Sequence, residues 1–303
     1  MSFSAFLKMY AGVFARGMCM GAADLVPGVS GGTVAFITGI YDRLLAAVAA
    51  FSSAEMFRDA FALRFAAAWR RGDCGFLAAL GAGIVCAIFS LGGVLHRLLE
   101  TRAHLLLAFF CGLVAAAAAA AAGRMRAPAS RHLAVFAGGA ILGLAAATLP
   151  SPEFAPSGAA FFFGGAIAVC AMLLPGISGS YILLVAGLYA PVIAALHSRE
   201  WTTLFIFTAG CVCGLLAFAR VLNFLLRRFH DGMLALLIGV MLGATPKLWP
   251  WKEQGAGIKI ILQANVMPAA FAGDAQIGAA VLLAACGALL VFVLHFAGRR
   301  MSA

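Results

Sequence analysis

The chain has 303 residues, of which 64% are hydrophobic and 11% charged, with a net charge of +10 and a mean hydropathy of +1.04. Soluble domains are about half apolar and a quarter charged, so this chain lacks the polar residues to cover a water-facing surface. Its apolar runs are too long and too free of alternation for an outer-membrane barrel, and its charges fall between those runs, which ties the positive balance to membrane topology and anionic headgroups and not to nucleic acid.

In chain order, residues 1–28 are apolar but interrupted by Arg16 and lack a clear cleavage site, so they are expected to stay on the chain. Residues 10–50 form an apolar stretch cut at Pro27-Gly28-Val29-Ser30-Gly31. Proline removes an amide donor and glycine permits backbone that a helix forbids, so two short helical pieces around one break are expected, as a re-entrant hairpin or a broken span. Between 52 and 73, Phe, Leu and Trp alternate with arginines and acids, the pattern of an interfacial amphipathic helix. Full spans follow at 74–96, 104–123 and 132–149. A second cut stretch, 158–196, breaks at Pro175-Gly176-Ile177-Ser178-Gly179 and leads to spans at 201–223, 231–248 and 275–297. The eight cysteines lie mostly inside apolar runs without C-x-x-C spacing, so they read as small packing hydrophobes, with no disulfide or metal site. No P-loop, dinucleotide fingerprint or metal-ligand spacing is present, and no cofactor is expected.

The cut stretches repeat. Pro27, Gly28, Ser30, Gly31, Gly39 and Tyr41 recur as Pro175, Gly176, Ser178, Gly179, Gly187 and Tyr189, each 148 positions on. A second register follows at 127, where Gly83, Cys86 and Gly112 return as Gly210, Cys213 and Gly239. The order argues for one membrane domain over 1–303 built from two halves, 10–149 and 158–297. If each cut stretch returns to its own side, three spans separate the copies and the halves are inverted, as in many transporters; if each crosses, the halves are parallel. The inverted arrangement places twelve basic residues on one face and six, including Lys247 and Lys252, on the other. The richer face, with both termini, is then expected in the cytoplasm. The expected fold is an all-α multi-spanning membrane protein, an inverted repeat in which each half holds one re-entrant helical hairpin with a Pro-Gly-x-Ser-Gly break and three transmembrane helices.

Unwound backbone at membrane depth persists only where protein or a water-filled cavity surrounds it. A helix restarting after Gly28 offers free amides and the positive end of its dipole, which favour an anion such as phosphate. Ser30, Thr33, Ser178 and Ser180 add hydroxyls. Charge at a helix centre costs about 2.5–3.5 kcal/mol on insertion scales, so Arg16, Asp24 and Arg43 around the first break are functional suspects. Arg16 could bind an anion or pair with Asp24; Asp24, which has no acidic match in the second copy, could couple transport to an ion. A purely structural reading, in which the serines cap helices and the glycines, Gly39 and Gly187 above all, allow close packing, competes with this one. Gly-x-Ser-Gly also occurs in intramembrane serine hydrolases, but the six histidines fall near span ends, and two equivalent serines suit a symmetric binding site better than one nucleophile.

The stretches from Arg16 to Leu45 and from Ala168 to Tyr189 resemble the two signature segments of the bacterial polyprenyl-phosphate transporters, the PopT-type undecaprenyl phosphate translocases. Leu236 to Trp251 resembles that family's later Gly-rich segment. The family pattern falls on Arg16, Asp24, Ser30, Gly31, Gly32, Thr33, Arg43, Ser178 and Gly179. The resemblance implies a flippase, not an enzyme, that returns undecaprenyl phosphate from the outer to the inner leaflet of the bacterial cytoplasmic membrane for cell-envelope and peptidoglycan synthesis. Its partners would be that lipid and the bilayer, and a homo-oligomer is compatible with the sequence. Phosphate binding would fall to Arg16, Ser30, Gly31, Gly32, Thr33, Arg43, Ser178, Gly179 and Ser180, with Asp24 as the ion-coupling candidate and Pro27, Gly28, Pro175 and Gly176 as helix breaks. A channel or carrier for a small anion would use the same helix starts.

Overall fold

A computed structural model describes residues 3–26, 29–127, 129–148, 156–253 and 263–302. Pro27 and Gly28 therefore lie outside the described residues. The first cut stretch forms α1 (Phe3–Asp24), α2 (Gly31–Ile37) and α3 (Tyr41–Ala50). Two short helices follow, α4 (Ala54–Phe61) and α5 (Phe65–Arg71), and then the long helices α6 (Cys74–Thr101), α7 (Ala103–Ala122) and α8 (Ser130–Thr148). The second cut stretch forms α9 (Gly158–Leu173), α10 (Gly179–Val185) and α11 (Tyr189–Ser198), followed by α12 (Trp201–Arg228), α13 (His230–Gly243) and α14 (Ile277–Ser302). Among the described residues there is no strand, only an isolated bridge between Lys252 and Asn265.

The six long helices, with α13 extended to Leu248 by a 3₁₀ turn, are long and apolar enough to cross a bilayer and lie at the six predicted spans. In two places the local structure departs from expectation. Each cut stretch makes three helical pieces, not two, because a second bend follows the Pro-Gly break. α2 and α3 meet at 117°, and α10 and α11 at 101°. Gly39 (φ 73°) and Gly187 (φ 70°) sit at those bends in the left-handed region, where a Cβ costs roughly 1–2 kcal/mol. They are therefore bend residues and not packing residues; at Gly39 a Cβ would meet nothing within 4 Å. The amphipathic segment 52–73 is likewise two helices, reversed at Leu63 (φ 54°) and tied by an Arg71–Asp59 ion pair of 3.0 Å. Its Phe57, Phe61, Phe65 and Trp69 are exposed.

True packing glycines line the long helices, and their contacts recur in pairs. Gly17 lies against the Leu80 carbonyl and Gly165 against that of Phe207; Gly83 faces the Phe14 carbonyl and Gly210 that of Phe162. Gly112 abuts Ala284 as Gly239 abuts Phe136, and Gly287 meets Phe109 as Gly139 meets Leu236. Every pair obeys the offsets of 148 and 127, and the last two show α14 following α8 at 148, a register the sequence comparison did not pick up. Thus α1 lies along α6 as α9 lies along α12, and α7 packs on α14 as α13 packs on α8. The inner helices are α7 and α13: half or more of their apolar windows are covered by protein, against 11–22% for the other four. The run from Ala115 to Ala122 belongs to this core, with Ala116, Ala117, Ala118 and Ala121 buried, and small side chains let the short helix α2 approach α7. Of the cysteines, Cys111 on α7 packs half-buried against this core, none is fully buried, and Cys19, Cys86, Cys213 and Cys286 are exposed.

Candidate functional site: the crossing of the two breaks

The two breaks meet. Ser30 Oγ donates to the Met172 carbonyl at 2.8 Å, and the Tyr41 hydroxyl donates to the Leu173 carbonyl at 2.8 Å. In return the Gly176 amide donates to Thr33 Oγ at 3.0 Å. The cause is local: α9 ends at Leu173, its last carbonyls have no intrahelical partner, and hydroxyls from the first stretch supply one. Gly176 (φ 92°) lies with its Cα against Met241 of α13, a position closed to any Cβ. Pro175 is buried beside it.

The two helix starts differ. At α2, the Asp24 carboxylate accepts the Gly31 amide at 2.7 Å, and Ser30, the N-cap, accepts the Gly32 amide at 3.0 Å. A Cβ at Gly31 would strike that carboxylate, and one at Gly32 the Met172 carbonyl. Ser30 and Thr33 are 0% exposed. The leading amides of α2 are thus held by the chain's own oxygens, and its hydroxyls latch the two stretches together. At α10, Met172 stands where Asp24 stands in the first copy, its Cγ over Gly179 as the carboxylate is over Gly31. Ser178 makes no side-chain cap; its hydroxyl bonds Ser180 Oγ at 2.8 Å. Neither Ser30 nor Ser178 is hydrogen-bonded to a histidine among the described residues, so the dyad of a serine hydrolase is not assembled.

The arginines divide by commitment. Arg43 holds Asp73, at the head of α6, through two bonds of 2.6 and 3.1 Å and stacks over Phe76 at 4.3 Å. Arg16, half-buried on α1, has no hydrogen bond or ion pair among the described residues, and its charge lies close enough to feel that of Arg43. It does not pair with Asp24, which holds Gly31 instead. Arg220 reaches the Ser52 carbonyl at 3.2 Å, tying α12 to the turn after α3.

Sequence reasoning missed Lys247. It counted this lysine among the exposed charges of the less basic face, yet the side chain is 2% exposed, without a hydrogen bond, its ammonium 3.3 Å from the centroid of the Tyr181 ring. The 3₁₀ turn Thr245–Leu248 carries it inward instead of into the loop. Tyr181 is the third residue of α10 and donates to the Ala147 carbonyl at 3.1 Å. The available signal was Lys247's isolation as the single charge in the run from Gly232 to Trp251. Lys252 is also buried, donating to Asn265 Oδ1 at 2.6 Å and to the Pro246 carbonyl at 3.1 Å; burial lowers its pKa to about 8. The division of basic residues between faces therefore counted two lysines that are not on a surface.

Residues 20–263, which contain both breaks and Lys247, match the family model described as undecaprenyl phosphate translocase-like. The chain belongs to that family. It is also 39% identical over 269 residues to a polyprenyl-phosphate transporter of Vibrio cholerae, an alignment covering 86% of this chain and 87% of the relative. No solved structure matches. Both names describe transport and neither an enzyme.

Proposed function

We propose that the chain moves undecaprenyl phosphate across the cytoplasmic membrane, from the outer to the inner leaflet, so that the carrier can be reused in cell-envelope synthesis. The observation that carries this reading is Lys247: a buried ammonium with an aromatic face but no acceptor, set beside the helix that bears Ser178, Gly179 and Ser180. A phosphate there would accept from Lys247, from the two hydroxyls and from the leading amides of α10. Arg16, uncommitted on α1, would supply the second charge, and Arg43 could join only by leaving Asp73.

Ser30, Gly31, Gly32 and Thr33 serve in this reading as the moving latch. Breaking the Ser30–Met172 and Thr33–Gly176 bonds would separate the two cut stretches and open the crossing toward one side of the membrane. Asp24 is the ion-coupling candidate, because protonation would remove the charge that holds the Gly31 amide. The two halves act as inverted copies, a reading favoured by the bends of 117° and 101° within the cut stretches, which turn each stretch back toward its own side. The prenyl tail stays in lipid while the headgroup passes.

The test is reconstitution in liposomes with undecaprenyl phosphate and a headgroup probe confined to one leaflet. Wild-type protein should equilibrate the lipid between leaflets, and Arg16→Ala and Lys247→Met should slow it. Competition by inorganic phosphate as strong as that by prenyl phosphate would instead identify a small-anion carrier.

A further inference from the structure

A cavity of about 720 Å³ opens where the connection between α7 and α8 meets the end of α12 and the start of α13. Arg126, Arg131 and Arg228 line it together with His132 and His230, and a single carboxylate, Asp231, stands among them. That carboxylate is already engaged: it accepts the Arg126 and Ala127 amides at 3.0 and 2.8 Å and holds His230 Nδ1 at 2.9 Å. Asp231 thereby fastens the α7–α8 connection to α13 and leaves the arginine heads uncompensated. Among the described residues none of the three guanidinium groups has an acidic partner; Arg131 reaches only His132 at 3.5 Å, and Arg228 only the Phe229 ring at 5.5 Å. Phe229, Val135, Met233 and Leu236 give the same cavity an apolar wall. Phe229 and Val135 are exposed, so this wall continues onto the outer surface of the bundle.

We propose that this cavity is a second anion site, separate from the crossing of the breaks, that takes the phosphate headgroup of a membrane lipid. Position and shape select a lipid over a soluble anion. Arg131 lies in the first turn of α8, Arg228 in the last turn of α12 and His230 in the first turn of α13, so the basic groups sit where spanning helices leave the hydrocarbon and headgroups lie. Guanidinium forks match phosphate oxygens in pairs, and the apolar wall gives the first carbons of a tail a dry surface. A soluble phosphate would use the arginines and leave that wall wet. Any lipid with a phosphate monoester headgroup meets these requirements, the transported lipid or a resident phospholipid alike.

The experiment is a binding titration of the full-length protein in nanodiscs of phosphatidylcholine, with phosphatidic acid, undecaprenyl phosphate or inorganic phosphate as probe. Phosphatidic acid should bind in competition with phosphatidylcholine, and the Arg131→Gln/Arg228→Gln variant should weaken it by about tenfold or more, the loss expected for a charge-assisted hydrogen bond. High salt should weaken it as well. Undecaprenyl phosphate displacing phosphatidic acid in the wild type would make the cargo an occupant of this site; no displacement would assign the site to resident phospholipid. Both outcomes support a lipid-phosphate site. Inorganic phosphate binding as tightly as phosphatidic acid, or phosphatidic acid binding equally to wild type and variant, overturns the proposal. Both side chains are exposed, so folding should survive their loss; should the double variant not fold, Arg228→Gln alone carries the same comparison.

Discussion

Replacing Lys247 by methionine separates the two consequences of its burial. A charged donor buried in protein without an acceptor costs about 3 kcal/mol. The Tyr181 ring, 3.3 Å below it, offsets about 2 kcal/mol where water is excluded. With no hydrogen bond to make up the difference, the empty protein carries a net cost of about 1 kcal/mol. Methionine fills the same volume without the charge, so Lys247→Met should raise the unfolding temperature by about 2 °C. Under the proposed function the same substitution would remove a charge-assisted bond to phosphate worth about 1.5–3 kcal/mol, a loss of roughly tenfold to a hundredfold in affinity for prenyl phosphate. Stability should therefore rise while binding and transport fall.

Thermal unfolding followed by tryptophan fluorescence reads the first effect, and the leaflet assay the second. Tyr181→Leu should act in the opposite sense on stability, because it takes away the ring and leaves the ammonium buried without a face. Combining the two substitutions should recover most of that loss, a coupling that independent sites would not show. A methionine variant that unfolds at lower temperature than wild type would mean that Lys247 is a structural residue, and one that moves lipid at the wild-type rate would remove it from the headgroup path.

Three further outcomes follow from the geometry. Asp24→Met, which copies the second half's residue into the first, strips the Gly31 amide of its acceptor and should lower stability by about 1–2 kcal/mol in chemical or thermal unfolding. Gly39→Ala and Gly187→Ala should each cost roughly 1–2 kcal/mol from backbone strain, and their similarity is the point to measure: equal losses fit two equivalent bends, whereas a harmless Gly187→Ala would not. Gly83→Ala and Gly210→Ala each drive a methyl into a carbonyl of the neighbouring helix. Both should reduce the yield of folded protein and its unfolding temperature, an effect typical of overpacking at about 1–3 kcal/mol.

Much of the fold was legible because the bilayer simplifies the code: twenty apolar residues make a span whatever their neighbours do. The Pro-Gly breaks were legible for the same reason, since proline and glycine state their backbone consequences locally. What stayed hidden required knowing which atoms meet. Ser30 and Thr33 advertise hydroxyls, but only the approach of α9 decides that those hydroxyls bond the chain itself and not a ligand. Gly39 resembles a packing glycine until the positive φ is seen. Lys247 resembles a topology marker because its inward turn depends on a 3₁₀ extension of α13 that hydropathy does not distinguish from a loop.

The duplication turns such local differences into information about charge. Where paired positions carry the same residue, the repeat explains them as scaffold; where they differ, symmetry has been given up at that point. Two differences bear on the crossing. Asp24 corresponds to Met172 at the first offset, and Lys247 to Ala120 at the second. A symmetric frame of this kind presents two equivalent helix starts to one region, each inviting an anion. Asp24 fills one invitation with the chain's own carboxylate, while the other receives an added cation on the ring of its third residue. Under the proposed function both changes would favour a single external anion at the α10 side over two, the stoichiometry that carrying one lipid headgroup per cycle requires.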